Sequence, residues 1–209
     1  CSSSLASAQR HYKLEEWAAV ETFAFFDRQM PGWHAAGTLP YFSTNHKGEE
    51  KWIDVYARLV EDGVTRTHLW IEFKAIPFGA AQSSKTFRSF ASDVLCLAAM
   101  EKARTLEMWN TQVNPKTGKK QGGWFGKCQF PGSISEGDFF GVAILFVALR
   151  DGETIRAKHE TLTKAISGWS CTLAAEIPSL CGDDGIGCLA YLIPIRESGE
   201  GQLPPPSIA

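Results

Sequence analysis

Between Trp52 and Lys74 apolar and polar residues alternate on either side of Glu61-Asp62-Gly63, and this stretch constrains the fold more than any other. A side-chain period of two marks a strand, and a Gly-containing break between two such runs marks a hairpin. Residues 52 to 60 and 64 to 76 are therefore predicted to be paired antiparallel strands. In the first, Ile53, Val55, Ala57 and Leu59 form an apolar face, and Trp52, Asp54, Tyr56 and Arg58 form a mixed one. In the second, Leu69, Ile71, Phe73 and Ala75 oppose Trp70, Glu72, Lys74 and Ile76. Glu72 and Lys74 thus share a face.

Whether Asp54 joins them depends on register, because a slip of one residue moves a side chain to the other face. A two-residue turn pairs 61 with 64 and sets Asp54 opposite Ile71. Without a compensating bulge, that arrangement takes the site apart. A three-residue loop, with Gly63 in the left-handed conformation, pairs 60 with 64 and 54 with 70. The three-residue loop is the expectation, and it leaves Asp54 diagonal to Glu72 at roughly 7 Å.

Two carboxylates on a covered sheet face repel and are costly to desolvate unless a cation or a proton compensates. Hard oxygen ligands without His or Cys favour Mg2+ or Mn2+ over zinc. Lys74 beside them would orient or help deprotonate an attacking water, or stabilise charge on a pentavalent phosphate, while the metal lowers the pKa of that water. A solvated polar face is the competing reading. Trp52, Trp70 and Ile76 on the same face argue that it is covered.

Upstream, residues 12 to 29 hold good helix formers and stop at Met30-Pro31-Gly32. Apolar residues surround this helix almost completely, so it is expected to be buried, with Glu21 or Glu16 pointing into a polar site. Downstream, a long helix is predicted from Ser83 to about Met108, with Phe87, Phe90, Val94, Leu97 and Ala98 at helical spacing. A buried strand is predicted at 139 to 149, a helix at about 157 to 167, a Cys- and Gly-rich loop after it, and a last strand near 188 to 195. A short strand is predicted at 39 to 45. The organisation is a flexible segment 1–11, one domain 12–200 with core 12–150 and a C-terminal helix and strand in 151–200, and a Pro-rich tail 201–209.

This ordered set resembles the PD-(D/E)XK, or restriction-endonuclease-like, nuclease superfamily. The family has a helix with a Glu, a strand with an Asp, a strand ending in Glu-x-Lys, then a helix and a further strand. Here the helix 12 to 29, Asp54, Glu72-Phe73-Lys74, the helix 83 to 108 and the strand 139 to 149 follow in that order. The resemblance implies an α/β fold, a mixed central β-sheet flanked by helices, and metal-dependent hydrolysis of DNA phosphodiesters. By position, Asp54 and Glu72 become metal ligands, the Phe73 carbonyl a further ligand and Lys74 the catalytic lysine. Glu21 is the choice for the helix acid, with Glu16 in reserve. Ile53 stands where the motif carries proline, and the loop 109 to 138 is longer than the minimal core needs.

Expected substrate contacts are Lys85 and Arg88, one turn apart early in the second helix, with Gln82 or Ser83 capping it. The stretch 114 to 127 contains Lys119 and Lys120 together with Trp124-Phe125. It reads either as a basic loop that grips a strand or as a solvated hairpin. His34, His46 and His68 are isolated, and a lone His is more often structural or exposed than catalytic.

A net charge of −2 over 209 residues offers no global field for nucleic acid, so DNA contacts would have to come from local patches. RNA as substrate and a homodimer both stay open. So does a relative of the same fold that has lost catalysis and serves as a binding or immunity module. Six cysteines lack the spacing of structural zinc, and Cys96 and Cys188 fall in apolar runs as buried thiols. The expectation is a cytoplasmic protein with no membrane span, the longest apolar run being Phe139 to Leu149. Cys1 is read as a truncation scar rather than a lipidated end.

Overall fold

The structure is a computed structural model that describes residues 14–37, 39–44, 50–76, 80–111, 137–149, 155–165, 171–178 and 186–195. The segment 1–11, the tail 201–209, His46 and the basic stretch 114–127 lie outside the described residues. Helix α1 (Leu14–Gln29) ends where expected, before Pro31 and a Gly32 with φ of +82°. Strands β1 (Trp33–Ala36), β2 (Leu39–Phe42), β3 (Glu50–Ile53), β4 (Val55–Glu61) and β5 (Val64–Ile76) follow. Then come α2 (Ala80–Ala98), α3 (Lys102–Thr111), β6 (Asp138–Ala148), α4 (Ile155–Ala165), β7 (Thr172–Ile177) and β8 (Ile186–Pro194).

Six strands form one sheet in the order β1-β4-β5-β6-β8-β7, and β2 and β3 form a separate two-stranded sheet. The β5–β6 pair is parallel and every other pair of the large sheet is antiparallel. The fold is therefore α/β with a mixed central sheet and flanking helices. No helix among the described residues is long and apolar enough to cross a membrane.

Both faces of the sheet are covered near the hairpin. On one, Leu14, Ala18 and Phe26 of α1 pack with Val55, Ala57, Ile71 and Phe73. On the other, Tyr56 and Trp70 pack with Phe90 and Val94 of α2, Met108 and Trp109 of α3, and Leu39 and Phe42 of β2. Over β4 and β5 the mixed face is thus a core, but Trp52, expected to help cover it, is 45% exposed on β3. One of the polar members of this face, buried His68, bonds through Nδ1 to the Tyr56 hydroxyl at 2.7 Å and stacks on Phe139. Cys96 and Cys188 are free, buried thiols.

The small sheet is tied to the helices by main-chain and side-chain bonds. The Phe42 N–H donates to Thr105 Oγ1, the Glu101 N–H to the Phe42 carbonyl and Trp109 Nε1 to the Pro40 carbonyl, at 3.1, 2.9 and 2.9 Å. These bonds explain a correction. The single helix expected over 83 to 108 is two helices, because Met100 bridges to Ser43 and Glu101 turns its N–H to β2 instead of continuing the helical ladder. Strand β7 replaces part of the expected Cys- and Gly-rich loop. Helix α1 is also less enclosed than expected, with Val20 64% and Phe25 51% exposed.

The hairpin corrects the turn expectation while keeping its consequence. Glu61 pairs with Val64, and both Asp62 and Gly63 have positive φ, 52° and 76°. This is a two-residue turn of the twist-matched kind. The register then shifts: Val60 faces Thr65, but Leu59 faces Thr67, so Arg66 is an extra residue on β5. The bulge restores the parity that the short turn removes. Gly137 makes room for it, since a Cβ there would lie 2.7 Å from the Arg66 carbonyl oxygen, and its φ is +105°. Gly137→Ala is expected to cost about 1–3 kcal/mol, measured as a lowered urea midpoint with an unchanged slope.

Candidate functional site

The site forms where β4 stops and β5 continues. The β4–β5 register runs to Val55 opposite Ile71, and its next step sets Asp54 across from Glu72. At Asp54 the chain bends away, and β3 pairs with β2 in the small sheet instead. Beyond Ile71, no strand among the described residues pairs with the β4 side of β5. The two N–H groups facing this gap are capped by side chains: the Phe73 N–H donates to Asp54 Oδ2 at 2.8 Å and the Ala75 N–H to Glu15 Oε1 at 2.9 Å. In an antiparallel ladder the N–H and C=O of one residue point to the same side. The Phe73 carbonyl therefore faces the same gap.

Two lysines and a further acid complete the group. Lys74 Nζ lies 3.5 Å from Asp93 Oδ2 of α2 and 3.9 Å from Glu15 Oε2 of α1. Asp93 also makes an ion pair, through Oδ1, with Lys51 of β3. Glu72 is 6% exposed, and its Oε2 is buried with no hydrogen-bond partner among the described residues.

The electrostatics follow from this crowding. Burial pushes the Glu72 carboxyl up to about 9, and the negative charges of Asp54 and Asp93 add to it against Lys51 and Lys74. Burial also raises Asp54, opposed by the Phe73 N–H and Lys74, and raises Glu15, opposed by the Ala75 N–H and Lys74. Burial pulls the Lys74 ammonium down, but Asp93, Glu15, Glu72 and Asp54 outweigh it and leave the pKa raised. At neutral pH the metal-free site thus holds a protonated Glu72 beside two ammonium groups.

Of the residues read from sequence, the fold brings Asp54, Glu72, the Phe73 main chain and Lys74 together. Glu21 and Glu16 are both exposed, whereas Glu15 reaches the sheet at the Ala75 N–H. The signal was available: residues 15, 18, 22 and 26 share one ridge of a helix, and Ala18 and Phe26 are buried on it. Asp93 and Lys51 were also missed. Asp93 lies on the stripe of Phe90, Val94 and Leu97, where an acid is conspicuous. Lys85 and Arg88 are exposed on α2. The Gln82 side chain, Lys119 and Lys120 lie outside the described residues.

Among the described residues no group of three or more His, Cys, Asp and Glu side chains is arranged to hold a metal ion. The oxygen donors at the gap are two acids, Asp54 and Glu72, and the Phe73 carbonyl. Such all-oxygen sets suit hard divalent ions that retain several waters, and the unpartnered Glu72 oxygen is the orphan that an ion would satisfy. Comparison with protein-family models, characterised proteins and solved structures gives no match.

Two outcomes follow. Asp54→Ala leaves the Phe73 N–H without its acceptor and is expected to destabilise by about 1–3 kcal/mol, whereas Asp54→Asn keeps an acceptor oxygen and costs less; equal denaturation midpoints for the two variants would contradict the cap. The folded metal-free protein binds a proton on Glu72 that the unfolded chain releases near 4.5, so this group makes stability fall as pH rises from about 4.5 to about 9. Glu72→Gln, neutral at every pH, should flatten that decline in metal-free urea titrations at about pH 6 and about pH 8.5.

Proposed function

We propose that this chain is a Mg2+- or Mn2+-dependent nuclease that hydrolyses DNA phosphodiester bonds on a restriction-endonuclease-like core. The carrying observation is Asp54, one residue beyond the last β4–β5 pair, whose charge acts on a buried Glu72 with an Oε2 that has no hydrogen-bond partner among the described residues, at a gap in the sheet that the Phe73 carbonyl also faces. Asp54, Glu72 and that carbonyl would hold the ion, and Glu15 takes the place first given to Glu21. The bound ion supplies a low-pKa water and neutralises charge on the phosphate.

The chain's own residues do the rest. Asp54 is fixed by the Phe73 N–H, so one oxygen is oriented before any ligand arrives. Glu72 must lose its proton to serve as a ligand, and metal affinity therefore rises with pH. Lys74 places an ammonium beside the two acids, where it can hold the attacking water or the phosphate oxygen. Exposed Lys85 and Arg88 on α2 are candidates for flanking phosphates. A relative that has lost catalysis and retains binding is the second reading.

The test is cleavage of supercoiled and single-stranded DNA with Mg2+ or Mn2+ by wild type, Asp54→Asn and Lys74→Ala. Both substitutions are expected to reduce the rate by about 10²–10⁴-fold, with folding checked by thermal melting. Equal cutting by all three preparations would assign the activity to a contaminant or another site. Oligonucleotide binding without any cutting would select the second reading.

A further inference from the structure

Asp93 is 6% exposed on the apolar stripe of α2, among Phe90, Val94 and Leu97. A carboxylate there is costly to desolvate unless it is compensated. One lysine would neutralise it. Two meet it, and they come from different sheets: Lys51 from β3 on Oδ1 and Lys74 from β5 on Oδ2 at 3.5 Å. Lys74 in turn sits between acids from both faces of the sheet, with Glu15 of α1 at 3.9 Å on its other side. Its long, flexible stem would otherwise sample many rotamers.

We propose that Asp93 is a positioning residue for Lys74 and that Lys51 is its counterweight, taking up part of the Asp93 charge so that Lys74 is held but not captured. This rests on the nuclease reading only for its catalytic consequence. With Lys51 removed, the whole Asp93 charge falls on Lys74 and draws its ammonium toward α2, away from Glu72 and Asp54. With Asp93 removed as well, that pull disappears. The two residues therefore act on the reaction through one another, although neither touches substrate.

The test has two arms. In DNA cleavage, Asp93→Asn and Lys51→Met are each expected to lower kcat by about tenfold with KM nearly unchanged. The double variant is expected to be no slower than the slower single. Losses that multiply would overturn the proposal, because independent structural damage adds in free energy. The second arm needs no activity: in metal-free protein without DNA, acetic anhydride labelling read by peptide mass spectrometry compares Lys74 with exposed Lys85. Asp93→Asn should raise Lys74 labelling several-fold and leave Lys85 unchanged. A folded variant with unchanged Lys74 labelling overturns the tie. If labelling responds while wild type cuts no DNA, the tie stands and the nuclease reading falls.

Discussion

The site depends on two main-chain N–H groups, those of Phe73 and Ala75, that lose their strand partner when the chain leaves the sheet at Asp54. A central strand cannot leave such donors bare in a covered core, because each would cost about 1–3 kcal/mol. Carboxylates from two directions cap them, Asp54 from the departing chain and Glu15 from the first turn of α1. The caps draw acids to the place where Glu72 and Lys74 emerge from β5. Acid crowding here is thus a product of how the sheet ends, and the electrostatic cost of that crowding falls on Glu72.

The small sheet is what makes the departure possible. Without β2 to pair with, β3 would continue along β5 and fill the gap. Pairing of Pro40 with Trp52 and of Leu39 with Ile53 draws it off. Bonds that join Phe42 and Thr44 to the α2–α3 junction, and Phe42 and Pro40 to Thr105 and Trp109 of α3, hold β2 in turn. The same junction ends α2 and starts α3, which brings Trp109 against Tyr56 and Trp70 at centroid distances of 5.0 and 4.8 Å. Aromatic packing beneath the site and the opening above it are therefore one construction.

Period-two alternation made the hairpin readable and correctly grouped Glu72 with Lys74, because strand faces are a local property. The stop after Gln29 was equally local, written as Pro31-Gly32. What was not readable involved competition between distant partners. Ile53-Asp54-Val55 looks like an uninterrupted strand, and only β2 says that it breaks. Ala99-Met100-Glu101 contains no Gly or Pro, and only the bonds to Phe42 and Thr44 explain the helix break. Glu21 and Glu16 stand out only if the apolar surface of α1 is almost wholly buried, whereas Val20 and Phe25 face outward, and Glu15 does not stand out on that reading. The turn itself was misread, since a three-residue loop and a two-residue turn with one bulge give the same parity.

That equivalence limits how this hairpin can change in length. Asp62-Gly63 fixes one end of the register and Gly137 is fitted to the bulge at Arg66, so a single inserted or lost residue on either strand exchanges the two faces beyond it. Both faces are cores of different shape, one built for α1 and the other for α2, α3 and β2. Length variation in descendants of this chain should therefore come in compensating pairs, one change at the turn answered by another at the bulge, as a reading frame is restored by a second shift.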